Sequence, residues 1–312
     1  MAETNFLFSI SNFILDILFP IKCLGCGKEF ENKKPKERWV CEKCLNEIII
    51  RKEQVCPVCE KEAEGGKTCY HCRKKTGLDG LWVASEYSDV VLSQAIRKFK
   101  FNFVKDLSYP LGKVILKSVL EQEEFGDFQD LLFARSTQNL EDDLESSIPS
   151  GRVKSSSRET IIIPVPLHRR RYNWRGFNQS ELLANEIARK FNLKVNNNLL
   201  IRWRNTKPQT KIKSMAERRE NIKGAFRMGS EIPLLRGGWG CIKNSLPTPP
   251  EKGIITSSSS QEENIPKEEI LKNKNIIIID DVCTTLATLN ECASVIKKAG
   301  AKKVWGVVAA RR

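Results

Sequence analysis

Three stretches of this chain carry apolar runs that cannot alternate between a wet and a dry face: Thr160-Ile-Ile-Ile-Pro-Val165, Ile276 to Ile279, and Val304-Trp-Gly-Val-Val-Ala-Ala310. Such runs fit strands buried on both sides of a parallel sheet. Leu81 to Ser85 and Leu199 to Trp203 add two shorter strands. Leu183, Ile187 and Phe191 share one face of a helix over 178–191, and Leu289, Cys292, Ile296 and Ala299, stopped by Gly300, share one face of another. Leu107 to Leu120 has helical periodicity, interrupted by Gly112. Val91 to Phe103 mixes apolar and basic positions, so Arg97, Lys98 and Lys100 face either a phosphate-bearing ligand or open solvent. The expected fold class is α/β, a parallel sheet flanked by helices.

Other stretches lack this patterning. Residues 121–158 turn acidic and then serine-rich, and 229–270 run through paired glycines, paired prolines and four successive serines. Both are expected to be weakly structured insertions in one domain, because buried strands resume after each. Phe6 to Pro20 is apolar but carries Asp16, lacks a basic leader and is too short to span a bilayer. It is expected to be an amphipathic leader helix over 1–20 packed on the protein; a contact with a membrane surface is the rival reading.

Cysteine spacing changes the picture for the first part of the chain. Eight of the 11 cysteines form four Cys-x-x-Cys pairs: Cys23/Cys26, Cys41/Cys44, Cys56/Cys59 and Cys69/Cys72. In a chain without a secretory signal this is metal-ligand spacing, and sequential pairing makes two structural Zn sites, hence a double zinc ribbon over 21–78. That region has few large apolar residues, so zinc would supply much of its folding free energy. His71 is read as a bystander between the last two ligands. The domain carrying the sheet then runs over 79–312.

The net charge of +14 suggests a polyanionic partner, but its placement matters. Lys22 to Leu78 holds 14 basic and 9 acidic side chains, and the −2 carried by each Zn–thiolate centre brings this +5 to about +1. Glu159 to Arg227 holds 16 Lys or Arg against 5 Glu, a local excess of +11. The electrostatic footprint belongs there.

Candidate chemistry collects at two strand ends. After Ile279 come Asp280 and Asp281, then Thr284, Thr285, Ala287 and Thr288 in a turn before a helix. Backbone N–H groups, hydroxyls and a helix N-terminus suit a phosphate, while the carboxylates suit sugar hydroxyls or Mg²⁺. A strand followed by threonines that merely cap a helix would look similar. These residues resemble the PRPP-binding signature of type I phosphoribosyltransferases, except that Leu286 stands where that family has Gly, which would keep the backbone further from the phosphate. Cys283 is read as a buried filler. The second strand end leads into Pro166-Leu-His-Arg-Arg-Arg-Tyr-Asn-Trp-Arg-Gly-Phe-Asn-Gln, expected to be a basic loop beside the phosphate site. Tyr172 and Trp174 among Arg170, Arg171 and Arg175 could stack on unpaired bases, or simply pack the loop. Thr206 to Ser214 suits a mobile lid that brings Arg218 and Arg219 to an anion. No Walker loop or Gly-rich dinucleotide fingerprint occurs.

Pro166-Leu-His-Arg-Arg-Arg, Arg175-Gly-Phe-Asn-Gln, Pro208-Gln-Thr, Ala216-Glu-Arg-Arg-Glu-Asn, Lys223-Gly-Ala-Phe and the Asp-Asp loop, in that order, resemble the ComF family of competence-associated phosphoribosyltransferase-like proteins. The tetracysteine ribbons resemble those often found at its N-terminus. The resemblance implies a type I phosphoribosyltransferase core and a part in uptake of single-stranded DNA during natural transformation. It implies that Asp280 and Asp281 contact ribose, that Thr284, Thr285, Ala287 and Thr288 bind the 5′-phosphate, and that Leu167, His168 and Arg169 lie near pyrophosphate. PRPP or a similar phosphosugar, with Mg, would be the ligand; Arg169 and Arg218 are the candidate catalytic cations. Single-stranded DNA, a DNA-uptake helicase and other competence proteins are the implied partners, in the cytoplasm or at the inner face of the membrane. Turnover of PRPP with an unidentified base, as in nucleotide salvage, is the alternative function.

Overall fold

The computed structural model describes residues 20–30, 37–122, 126–133, 159–207, 212, 214–229 and 271–312. The leader helix expected over 1–20, most of both expected insertions, Cys241 and the middle of the expected lid lie outside the described residues.

Five strands form one parallel sheet: β1 (Gly80–Glu86), β2 (Thr160–Pro164), β3 (Lys194–Val195), β6 (Asn275–Cys283) and β7 (Lys303–Arg311), in the order β1-β7-β6-β2-β3. Two short strands, β4 (Leu200–Arg202) and β5 (Phe226–Met228), pair antiparallel beside it. The helices are α1 (Glu42–Glu47), α2 (Val90–Phe101), α3 (Ser108–Leu120), α4 (Asp127–Phe133), α5 (Arg169–Arg175), α6 (Gln179–Phe191), α7 (Met215–Ile222) and α8 (Ala287–Lys298).

The isoleucine run explains how the layers form. Ile277 and Ile279 enter one core with Trp82, Phe99, Leu183 and Trp305, whereas Ile276 and Ile278 enter the other with Leu289, Cys292 and Ile296. All four isoleucines are fully buried, and each such burial contributes about 1.5–3 kcal/mol. The first core is covered by α2, α3, α4 and α6, the second by α8 and the β4–β5–α7 unit.

Part of the segment expected to be unstructured is helical. In α4, Phe128 stacks on Trp82 at 4.9 Å and lies 5.4 Å from Trp305, with Leu131 and Leu132 also buried. The acidic letters around it hid a one-sided apolar spacing that only the facing tryptophans make stable.

The ribbons are stitched to the edge of the sheet. Gln54 donates to Val83 O and accepts from Val83 N, both at 3.0 Å, and Lys67 bridges to Gly80. Gly80 itself leaves room for Trp305, whose ring would lie 2.3 Å from a Cβ there. Among the described residues no helix is long and apolar enough to cross a membrane.

Candidate phosphosugar site and zinc centres

Strand order reverses between the parallel neighbours β2 and β6: β2 leads outward to β3, while β6 leads to β7 on the other side. In open α/β sheets this switch point opens a crevice at the carboxyl ends of the strands. Pairing between β2 and β6 stops at Pro164↔Ile279, yet β6 continues beside β7 through Asp280, Val282 and Cys283. The two aspartates therefore lie within the strand, on the part that has lost its β2 neighbour.

Asp281 is buried and Asp280 half-buried. Asp280 Oδ1 accepts from Ser180 Oγ at 3.0 Å and from Asp281 N at 2.9 Å. Asp281 Oδ1 accepts from Val282 N at 2.7 Å and meets Lys100 Nζ at 2.9 Å. Burial first, and then the Asp281 carboxylate, push Asp280 up to about 7, against the pull of Lys100, Asp281 N–H and the Ser180 hydroxyl. Burial disfavours the charge on Lys100, but Asp281 and Asp280 outweigh it and raise the lysine above its ordinary range.

The phosphate-type turn follows directly. Thr285 and Ala287 are buried, Thr284 and Thr288 half-buried, and α8 starts at Ala287. Leu286, which precedes it, has φ 60° and ψ −11°. This left-handed conformation is the one a glycine adopts without cost, so the chain keeps the loop geometry while carrying a side chain there. Cys283 is buried and its thiol is pushed up to about 11, chiefly by burial, which agrees with a filler role.

The expected basic loop on the other side of the crevice is a helix, α5. His168 caps it, its Nδ1 accepting from Arg170 N at 3.3 Å, and Gly176 stops it at φ 77°. Arginines favour helix, but no residue of α5 is buried, so no apolar period announces it. Arg169 and Arg170 are exposed; Leu167, His168, Arg171, Tyr172 and Arg175 are half-buried. Arg171 donates to Thr206 O at 2.8 Å, and Arg175 donates to Gln179 Oε1 at 2.6 Å. Burial lowers the pKa of Arg175, opposed by the Asp281 charge. Trp174 is 62 % exposed, edge-on to Phe103 at 4.8 Å.

Arg202 on β4 was not among the expected site residues. It donates to Thr206 Oγ1, and burial followed by the Arg171 charge lowers it to about 10, partly offset by Cys292 and Asp280. Burial, then Arg202, Arg170 and Arg171, lower His168 and leave it neutral near pH 7. The Nε atoms of Arg175 and Arg202 are buried without a protein partner. An arginine inside the apolar run Leu199 to Trp203 was the available signal. Arg218 donates to Ile212 O at 2.9 Å, while Arg219 lines a cavity of about 610 Å³ with Thr284, Thr285, Lys223 and Arg311.

The eight paired cysteines gather sequentially: Cys23, Cys26, Cys41 and Cys44 in one group, and Cys56, Cys59, Cys69 and Cys72 in the other, with ligand atoms within 4.8 Å of one another. Cys41 N donates to Cys23 Sγ at 3.3 Å and Cys69 N donates to Cys56 Sγ at 3.4 Å, donors that favour thiolate. Both sets fit tetrahedral Zn²⁺, which would cross-link each knuckle. His71 stays outside the second group, its ring against Tyr70.

A mostly parallel sheet flanked by helices and preceded by two Cys₄ knuckles is similar to a phosphoribosyltransferase domain behind a double zinc ribbon. Residues 14–73 match the family model for the double zinc ribbon domain, and residues 178–312 match that for the phosphoribosyl transferase domain. The chain is 24 % identical to Competence protein F of Haemophilus influenzae over 86 % of its own length and 96 % of that protein's. It is 25 % identical to the DNA utilization protein YhgH of Escherichia coli O157:H7, covering 85 % and 95 % of the two chains. For YhgH of Salmonella typhimurium the figures are 24 %, 85 % and 88 %. The resemblance to the ComF family thus extends along most of the chain, through both domains.

Proposed function

We propose that the protein binds PRPP or a related phosphosugar at the β2–β6 crevice and acts in DNA uptake and use. The observation that carries the ligand is the pairing of opposite chemistries across one crevice. Asp280 and Asp281 offer acceptors for sugar hydroxyls; the turn 284–288 offers a phosphate cradle; and Arg171, Arg175 and Arg202 bond only neutral protein groups, Arg175 and Arg202 keeping buried Nε–H groups without a partner. Desolvated guanidinium groups of this kind suit a pyrophosphate. The names of the competence and DNA utilization relatives support the biological setting.

The two carboxylates are poor direct ligands for Mg²⁺, because Asp281 is already paired with Lys100 and Asp280 Oδ1 is taken by two donors. Turnover of PRPP with a base is a separate function and no observed group selects an acceptor. The test is thermal stabilisation by PRPP. At 100 times Kd it should amount to about 2.7 kcal/mol in the parent chain. Loss of the shift in Asp280→Asn/Asp281→Asn supports the site; its survival there sinks the assignment.

A second reading, binding of single-stranded DNA, is favoured by α5, where Arg169, Arg170 and the open ring of Trp174 share an exposed segment with no acidic residue. Stacking on the indole and contacts to phosphates would give salt-dependent affinity. A fluorescence titration with a labelled oligonucleotide should weaken as salt rises and weaken further in Arg170→Ala and Trp174→Ala. Affinity indifferent to both would remove this reading.

A further inference from the structure

The Asp281 carboxylate faces an ammonium group, that of Lys100. Lys100 reaches it from the last turn of α2, with Nζ 2.9 Å from Asp281 Oδ1; 27 % of the lysine side chain is exposed and 6 % of the aspartate's. The approach is fixed from behind. Phe99, fully buried, accepts from Gln179 Nε2 at 3.4 Å through its carbonyl, and Gln179 Oε1 in turn receives Arg175 Nη1 at 2.6 Å. One hydrogen-bonded unit therefore ties the backbone next to Lys100 to Arg175.

The remaining donors leave little for a divalent ion. Val282 N shares Asp281 Oδ1 with Lys100, and Ser180 Oγ and Asp281 N share Asp280 Oδ1. Divalent cations such as Mg²⁺ or Mn²⁺ require about six oxygen ligands. Among the described residues the only groups of three or more His, Cys, Asp or Glu ligands are the two cysteine sets, so no third carboxylate or imidazole joins the acids. A divalent ion at Asp281 would also lie within a few ångströms of the lysine charge and be repelled by it.

We propose that Lys100 is the resident cation of the crevice: it neutralises Asp281 in place of a metal, so the protein holds a sugar phosphate with no divalent ion on its carboxylates. Any Mg²⁺ then enters on the ligand's own phosphates. The ligand half of this inference rests on the phosphosugar reading; the metal half does not.

Two measurements on the full, zinc-loaded chain separate them. The first uses Mn²⁺ alone at pH 8, followed by electron paramagnetic resonance. The parent chain should show no bound Mn²⁺ at the crevice, Lys100→Met should gain a site, and Lys100→Met/Asp281→Asn should lose it again. Lys100→Arg, which keeps the charge, should stay empty; it also serves if the methionine variant melts too low to use. Tight Mn²⁺ binding by the parent chain that disappears in Asp281→Asn would overturn the proposal, as would binding by Lys100→Arg equal to that of a folded Lys100→Met. The second compares thermal shifts with ribose 5-phosphate, which lacks a chelating diphosphate, in buffer with Mg²⁺ and in the same buffer free of Mg²⁺ and of chelator. Equal shifts are expected, and a shift that needs Mg²⁺ would overturn the proposal. No shift in either condition would count against the phosphosugar reading, while the Mn²⁺ result still decides the role of Lys100.

Discussion

Thr76 donates its hydroxyl to Asn290 Oδ1 at 2.7 Å, and Gly77 N donates to the same oxygen at 2.9 Å, so the exit of the second ribbon is tied to the first turn of α8. That turn follows the threonine loop. Arg311 strengthens the junction by donating to Pro57 O in the Cys56–Cys59 knuckle and pairing with Glu60. Asn290→Ala should cost about 1–3 kcal/mol, because it strands two partly buried donors, and should weaken phosphosugar binding although residue 290 lies beyond the loop. Urea unfolding and the PRPP thermal shift check this; unchanged stability would mean that the junction does not join the two parts.

Two Zn²⁺ per chain are expected by elemental analysis. Cys41→Ser should lower the count to one by disabling the first centre, and Cys69→Ser should do the same through the second. Only the second loss should also reduce ligand binding, since only the second knuckle contacts Arg311 and flanks the cavity beside Thr284. Equal effects of the two variants would contradict that geometry.

Asp280 sets a pH dependence with a definite sign. Its folded value of about 7 exceeds the unfolded 3.8, so the native state holds the extra proton between these values and stability falls as pH rises through that window. Asp280→Asn removes this loss and can still accept from Ser180. The melting temperature of the variant relative to the parent should therefore be more favourable at pH 8 than at pH 4. A difference that stays flat with pH would show that Asp280 titrates normally.

Leu286 can be tested by an ordering rather than a single value. Leu286→Ala loses packing against the second core and keeps the left-handed backbone, whereas Leu286→Gly loses the same packing and relieves about 1–2 kcal/mol of backbone strain. The glycine variant should be the more stable of the two in a denaturant melt and should bind phosphate at least as well as the parent. An alanine variant more stable than the glycine one would show that the loop is not held at positive φ.

Particular residues show how far pattern reading reaches. The β6 run, the α6 and α8 periods and the cysteine pairs were legible because each is a repeat imposed by local geometry: burial on two faces, a turn of 3.6 residues, or a knuckle around one ion. Helices α4 and α5 were not. The first depends on Trp82 and Trp305, distant in sequence, and the second has no buried face to leave a period. Arg202 was missed for a related reason, since its importance comes from Arg171, Thr206 and Asp280 converging on it across the crevice.

By itself the order of residues determined the parallel α/β core, the two Cys₄ centres and the acid–threonine turn at a strand end. Hydrophobic period and ligand spacing are properties of neighbours along the chain. Tertiary structure alone decided that Lys100 neutralises Asp281, that the second ribbon braces the helix after the turn, and that Asp280 holds its proton to about pH 7. These are matters of charge and desolvation, which depend on distances that no spacing along a chain specifies.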